Sequence, residues 1–527
     1  MSDDQRNVIA FLSDPSSYEH GVDRVETIET HASLIFLASD RAYKLKRAVK
    51  YPYLDFSTVE LRRQACEAEL ALNRRTAPAL YEEIRGLFRN AAGGISFSPQ
   101  GRAVDWVVVM RRFDQALVFD ALARTGGLGP RVMDELADHI ASFHAATERR
   151  SDSGGAAEMA QLAEIQHRCL AGARRAGFPP ADVESILEKW RRALAAVAQL
   201  LDDRRAAGKV RRCHGDLHLR NICLVDGKPT LFDCLEFDDG LATIDVLYDL
   251  AFLLMDLEYR GLPHFANRVL NRYLDRTEED DGLAAMPLFL SLRAGIRGHV
   301  VATSLEHAAA WQEMAAEARR YLQLAHRLLE PEPRRLIAIG GVSGTGKSTL
   351  AVALAPEVGR RPGARLLRSD VTRKLLYGVA PETPLPAAAY SREVSRRVYE
   401  TLRRKAAAAL AAGYSAIIDA VSLRPDERRA FAEVARAAKV PFSGLWLEGS
   451  PEILAGRISA RHGDASDATP EILSDQLRHG SATIEWTRLD AGVGPAECLA
   501  TARRVLGVDA RNECERTRWR TDVCSES

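Results

Sequence analysis

Residues 334–355 read RRLIAIGGVSGTGKSTLAVALA, a run that leaves its stretch of chain little conformational choice. Leu336–Ile339 is apolar and short enough for a buried strand, and it runs directly into a glycine-rich loop. A helix is expected to begin near Lys347. The glycines let the backbone wrap around an anion, and the amides of the helix start supply oriented donors. Gly341, Val342, Ser343, Gly344, Thr345, Gly346, Lys347, Ser348 and Thr349 therefore read as a Walker A phosphate cradle. Lys347 is placed to neutralise β- and γ-phosphates, and the Ser348 hydroxyl to ligate Mg2+. The expected cofactors are ATP, or another nucleoside triphosphate, and Mg2+.

Downstream, helical and apolar segments alternate, with further short strands at Ala416–Asp419 and Gly444–Leu447. This predicts an α/β P-loop NTPase domain with a doubly wound parallel sheet. Asp370, just after a second strand, is a candidate base for an acceptor hydroxyl, and Arg373 a candidate to hold the acceptor. Ser369 or Asp370 could instead cap the following helix. Asp419 ends its strand where a Walker B carboxylate would order Mg2+ or its water. Arg457 and Arg461 share a helical face before the polar loop His462–Ala468, as in a lid, or else form a solvated basic face. These features resemble P-loop kinases of small molecules and nucleic-acid ends, including gluconate-kinase-like, zeta-toxin-like and polynucleotide-kinase-like proteins.

A second constellation lies at Cys213–Leu224, CHGDLHLRNICL. His-Gly-Asp, an Asn five residues after the Asp, and a closing apolar strand form a phosphotransferase catalytic loop. Asp216 is expected to accept the acceptor proton, and Asn221 to ligate Mg2+. A tight hairpin would bring Asp233 to the same metal. Asp245 and Asp249 read as anchors for the loop. Cys213, His214, His218 and Cys223 could also be drawn as a zinc site, but their spacing fits no usual structural zinc pattern. The loop resembles that of the aminoglycoside phosphotransferase family, which shares the protein-kinase-like fold with choline and homoserine kinases. The resemblance implies an N-lobe lysine paired with a helix-borne glutamate. Strand Ala42–Lys46 offers Lys44 and Lys46 on one face, with Lys44 preferred. Helix Thr58–Arg75 offers Glu67 and Glu69, with Glu69 preferred; its apolar face is expected at Leu61, Ala65, Ala68 and Leu72. No glycine occurs in Glu29–Phe36, so a turn at His31–Ser33 would have to cover the phosphates.

The chain has 527 residues, enough for two to four domains, and its polar EPEPRR segment divides it. An aminoglycoside-phosphotransferase-like domain is expected over 1–330, with an N-lobe at about 25–115 and a C-lobe at about 116–329. A linker at 331–335, a P-loop kinase domain at 336–507 and a loose tail at 508–527 follow. This order resembles bacterial two-domain proteins that join the two modules. Basic and acidic side chains number 72 each, so no global field draws the chain to nucleic acid or a membrane. The apolar stretch Ala251–Met255 lies between Asp249 and Asp256, no secretory start is evident, and eight scattered cysteines suit a reduced, cytoplasmic protein. The expected function is phosphotransfer to small-molecule hydroxyls at two Mg-dependent centres. Alternatives are one active P-loop kinase beside a regulatory or substrate-binding domain, and a nucleic-acid 5′-end kinase using Arg373, Lys374, Arg392, Arg396 and Arg397. Antibiotic modification would require an acidic acceptor pocket, for which Glu236, Asp238 and Asp239 are nearby. Oligomeric state is left open.

Overall fold

The computed structural model describes residues 3–18, 21–30, 32–51, 54–304, 311–460, 465–478 and 484–508. It divides into two compact units, Met1–Gly155 with Asp203–Leu253, and Ala156–Asp202 with Leu254–Ser527.

The first unit carries a six-stranded antiparallel sheet in the order Val25–Glu29, Ser33–Ala38, Arg41–Lys46, Arg102–Arg111, Tyr81–Arg89, Ile95–Ser96. Strand alternation gives the sheet two different faces. Phe36, Tyr43, Leu45, Val107 and Val109 pack with Val8 and Leu12 of helix Asp3–Ser13. Leu37, Ala42, Val108 and Met110 pack with Cys66 of helix Val59–Asn73. Thr58 caps that helix, accepting from Leu61 N at 3.2 Å. Its buried stripe is Arg62, Cys66, Glu69 and Asn73, not the expected Leu61, Ala65, Ala68 and Leu72. Buried polar groups are tolerated there because each has a partner. Arg62 pairs with Asp105 at 2.7 Å, and Asn73 Oδ1 accepts from Cys234 N at 2.8 Å. The same unit holds the antiparallel hairpin Ile222–Val225 with Lys228–Leu231, and strand Val210–Arg212 paired with Thr243–Asp245.

The second unit contains a parallel five-stranded sheet in the order Arg365–Arg368, Ala416–Asp419, Leu336–Gly340, Phe442–Glu448, Thr487–Asp490. Helices Lys347–Leu354 and Pro495–Leu506 share a core with one face. Helices Arg392–Ala411 and Pro425–Ala437 pack together and against strands of this sheet. This is the doubly wound arrangement. Helices Pro263–Thr277, Met286–Ser304 and Trp311–Leu328 belong to the same unit. No helix among the described residues is long and apolar enough to cross a membrane.

The edge strand Arg365–Arg368 is finished by a side chain rather than by another strand. Asn271 Oδ1 accepts from Leu366 N at 2.8 Å, and its Nδ2 donates to Ala364 O at 3.2 Å. Arg365 is buried beside it between Asp275 at 2.7 Å and Asp280 at 2.6 Å. Asn271→Leu would leave a buried backbone N–H without its partner, at a cost of about 1–3 kcal/mol. The melting temperature should fall measurably in a thermal denaturation series; a wild-type melt would contradict this edge contact.

Candidate phosphotransfer centres

The first constellation is assembled by one strand, one helix and one loop. Alternation along Arg41–Lys46 puts Lys44 and Lys46 on the face that meets helix Val59–Asn73. Lys44 Nζ lies 2.7 Å from Glu69 Oε1 and 2.6 Å from Asp233 Oδ1. Lys46 Nζ lies 2.5 Å from Glu69 Oε2 and also pairs with Glu236. Glu67 points elsewhere, to Arg63 at 3.3 Å on the helix surface. Burial opposes ionisation of Glu69, but the two ammonium groups outweigh it and hold its pKa below the usual carboxylate range. Burial likewise opposes the charge on Lys44, and Asp233 and Glu69 more than compensate, raising its pKa.

Asp249 fixes the loop at Cys213–Leu224. It accepts from His214 N at 3.2 Å, from Gly215 N at 2.9 Å, and lies 3.1 Å from His144 Nε2. Gly215 has φ of 85°, and a Cβ there would stand 2.8 Å from Ala242 Cβ, so the loop requires glycine. Asp249→Ala would strip two buried amides and a buried imidazole of their shared acceptor. The expected loss is about 3 kcal/mol of stability or more, read as a lower denaturation midpoint. Asp245 anchors a neighbouring turn through a two-pronged pair with Arg204, at 2.8 and 2.9 Å.

Asn221 Nδ2 donates to Asp216 O at 2.9 Å and Oδ2 at 2.8 Å, and His218 Nε2 stands 3.3 Å from Asp216 Oδ2. The hairpin returns the chain so that Phe232 N bonds Asn221 O at 3.0 Å, setting Asp233 beside the loop. With its amide nitrogen committed to Asp216, Asn221 retains Oδ1 for a cation. The Asp233 side chain is 41% exposed. These hard oxygen donors suit Mg2+. The four residues considered for zinc serve other ends: Cys213 Sγ contacts Ile244 O at 3.5 Å, His214 Nε2 contacts Phe232 O at 3.0 Å, His218 faces Asp216, and Cys223 lies in the hairpin strand. The turn proposed to cover phosphate falls partly on His31, outside the described residues; beside it Thr30 N bonds Ser33 O at 2.9 Å. Asp239 pairs with Arg212 at 2.6 Å, Asp238 caps helix Asp239–Ala242, and Glu236 is held by Lys46.

In the second constellation the strand Leu336–Gly340 delivers the loop to helix Lys347–Leu354. Gly341 has φ of 137°, and a Cβ would lie 2.4 Å from Leu447 O, so only glycine fits. Lys347 Nζ folds back on Val342 O at 2.9 Å. Ser348 Oγ donates to Asp419 Oδ2 at 2.6 Å, bringing hydroxyl and strand-end carboxylate together as Mg2+ ligands would be. Burial and neighbouring Asp419 raise the pKa of Asp370, against Arg368 and Lys347. Helix Ser369–Leu376 takes Arg368 as its N-cap and has no side-chain cap bond, which removes the capping role considered for Ser369 or Asp370.

The arginines are distributed differently from expectation. Arg373 is buried: Nη1 donates to Ala389 O at 2.7 Å, and the guanidinium sits 4.8 Å from the Tyr390 ring centroid. It braces the segment around residue 390. Arg368 is the arginine near the strand-end carboxylate, with Nε 3.4 Å from Asp419 Oδ2. Parallel register pairs Arg368 with Asp419, a signal that strand alignment could have supplied. Arg457 donates to Ala491 O at 2.8 Å and lines a cavity of about 450 Å³ with Gly346, Thr349, Leu350 and Cys498. Arg461 lies outside the described residues. Three further contacts were not anticipated: Ser343 N donates to Gln476 Oε1 at 2.8 Å, Lys374 pairs with Asp467 at 2.6 Å, and Tyr390 OH reaches the same carboxylate at 2.5 Å.

Comparison with known proteins matches two separate segments of the chain. Residues 112–289 match the sequence family described as "Phosphotransferase enzyme family", and residues 336–482 match "AAA domain". Uncharacterized protein Rv2004c of Mycobacterium tuberculosis and Uncharacterized protein Mb2027c of Mycobacterium bovis are similar over most of their length. Each is 32% identical over 484 residues, covering 90% of this chain and 93% of the relative. Among solved structures, a sugar kinase from Janibacter sp. is 25% identical, with TM-score 0.26, covering 34% of this chain and 96% of its own. An amicoumacin kinase in complex with AMP-PNP and Ca2+ is 17% identical, with TM-score 0.38, covering 62% and 94%.

Proposed function

We propose that this chain, which belongs to the same family as the mycobacterial protein Rv2004c, transfers phosphoryl groups from ATP to small-molecule hydroxyls at two separate centres. It is an ATP-binding phosphotransferase, joining a protein-kinase-like module to a P-loop kinase module. The observation carrying the two-centre reading is that each constellation has its own lysine, carboxylates and further oxygen donors close together.

In the first centre Lys44, steadied by Glu69, would meet the α- and β-phosphates while Asp216 accepts the acceptor's proton. Asn221 and Asp233 would hold Mg2+. In the second, the loop amides and Lys347 would cradle the β- and γ-phosphates, with Ser348 and Asp419 holding Mg2+ and Asp370 taking the proton. Bound Mg2+ would neutralise charge on the phosphate oxygens. The cavity beside Gly346 and Arg457 suits the nucleotide base. Equilibrium dialysis with ATP and Mg2+ should find two nucleotides per chain, and one in Lys347→Ala. A single nucleotide in the wild type would instead support one active P-loop kinase beside a regulatory domain.

Nucleic-acid end phosphorylation is less well supported. Of the five basic residues considered for a groove, Arg373 and Lys374 are buried and committed to internal partners. Arg396 faces Glu400 on an exposed helix surface. Small hydroxyl compounds are the acceptors this arrangement favours.

A further inference from the structure

Lys46 has no part in the phosphotransfer scheme above, yet it is among the most deeply placed charges in the first unit. Its side chain is 2% exposed, against 11% for Lys44. The ammonium sits 5.4 Å from the Phe56 ring centroid, between Glu69 Oε2 and Glu236. Removing an ammonium from water into such a site is costly unless its partners are well placed.

The five charged groups form one alternating chain: Asp233, Lys44, Glu69, Lys46, Glu236. Each lysine takes one oxygen of Glu69, so neither holds that carboxylate alone. The three acids and two bases leave one negative charge in excess. Of the three acids, Asp233 has the most exposed side chain, at 41% against 0% for Glu69 and 9% for Glu236.

We infer that Lys46 is a positioning residue of the first centre, keeping Glu69 shared and Glu236 neutralised so that Lys44 stays available to phosphate. This rests on the proposed nucleotide site there. Two consequences of losing Lys46 follow from the geometry. Glu69 could turn both oxygens onto Lys44 and draw it from the nucleotide. Glu236, three residues beyond Asp233, would also become an unpaired buried carboxylate beside incoming phosphates, adding repulsion. Direct phosphate contact is a poor description of Lys46, because its side chain is more enclosed than that of Lys44.

The test measures ATP affinity with Mg2+ by equilibrium dialysis in the full chain carrying Lys347→Ala, so that binding at the Walker loop is suppressed. Lys46→Met should weaken ATP binding by about tenfold or more. Adding Glu236→Gln to Lys46→Met removes the unpaired carboxylate but not the change at Glu69, and should recover part of the lost affinity. Glu236→Gln alone leaves Glu69 its second cation and should also bind within about threefold of the parent. Three results would overturn the inference: unchanged affinity in Lys46→Met, an equal loss in the double variant with parental melting, or a tenfold loss in Glu236→Gln alone. Should Lys46→Met fail to fold, the double and Glu236→Gln variants carry the test. Lys44→Met is the control: unchanged affinity there would refute the nucleotide site itself, not the role of Lys46.

Discussion

Lys347→Ala should reduce phosphotransfer at the P-loop centre by about 1,000-fold, or ~4 kcal/mol in activation free energy. The lysine enters from the first turn of its helix and lies against the loop carbonyl of Val342, so its ammonium stands within the phosphate cradle. The loss should appear in kcat and in the KM for ATP together, because the charge serves bound nucleotide before and during transfer. Folding should be nearly unaffected, since the Val342 contact is a single backbone hydrogen bond. Steady-state kinetics at several ATP concentrations, beside a thermal melt, separates these outcomes.

Asp216→Asn should lower turnover at the kinase-like centre by about 100- to 10,000-fold while changing the KM for ATP less than about threefold. An asparagine can still accept from Asn221 Nδ2, which now reaches Asp216 Oδ2 at 2.8 Å, so the loop should keep its shape. What disappears is the carboxylate that would take the acceptor's proton. A parallel fall in ATP affinity would instead mark Asp216 as part of the nucleotide and metal site. Titrating ATP at saturating Mg2+ distinguishes the two.

Local chemistry made the Walker loop, its strand and its helix legible before any coordinates. Strand Ala416–Asp419 is likewise found at its expected bounds, because a buried parallel strand is a plain apolar run. The N-lobe was harder to read. Strand Tyr81–Arg89 carries exposed Glu82 and Glu83 and is broken by irregular register, so its alternation is blurred. Helix Val59–Asn73 misled for a different reason: its buried face is a set of paired polar residues, which apolar periodicity cannot detect. The choice between Lys44 and Lys46 could not be made from spacing, since one glutamate with two oxygens engages both. Arg368, not Arg373, lies beside Asp419 because reach depends on strand register and burial, not on distance along the chain from Asp370.

The central claim is that one chain holds two independent phosphotransfer centres. Its most direct test is phosphorylation of a metabolite pool with γ-labelled ATP by the wild type, Asp216→Ala and Lys347→Ala. The account predicts that each variant loses a different subset of labelled products and retains the other. If Asp216→Ala retains every product while Lys347→Ala retains none, the claim of two centres is contradicted.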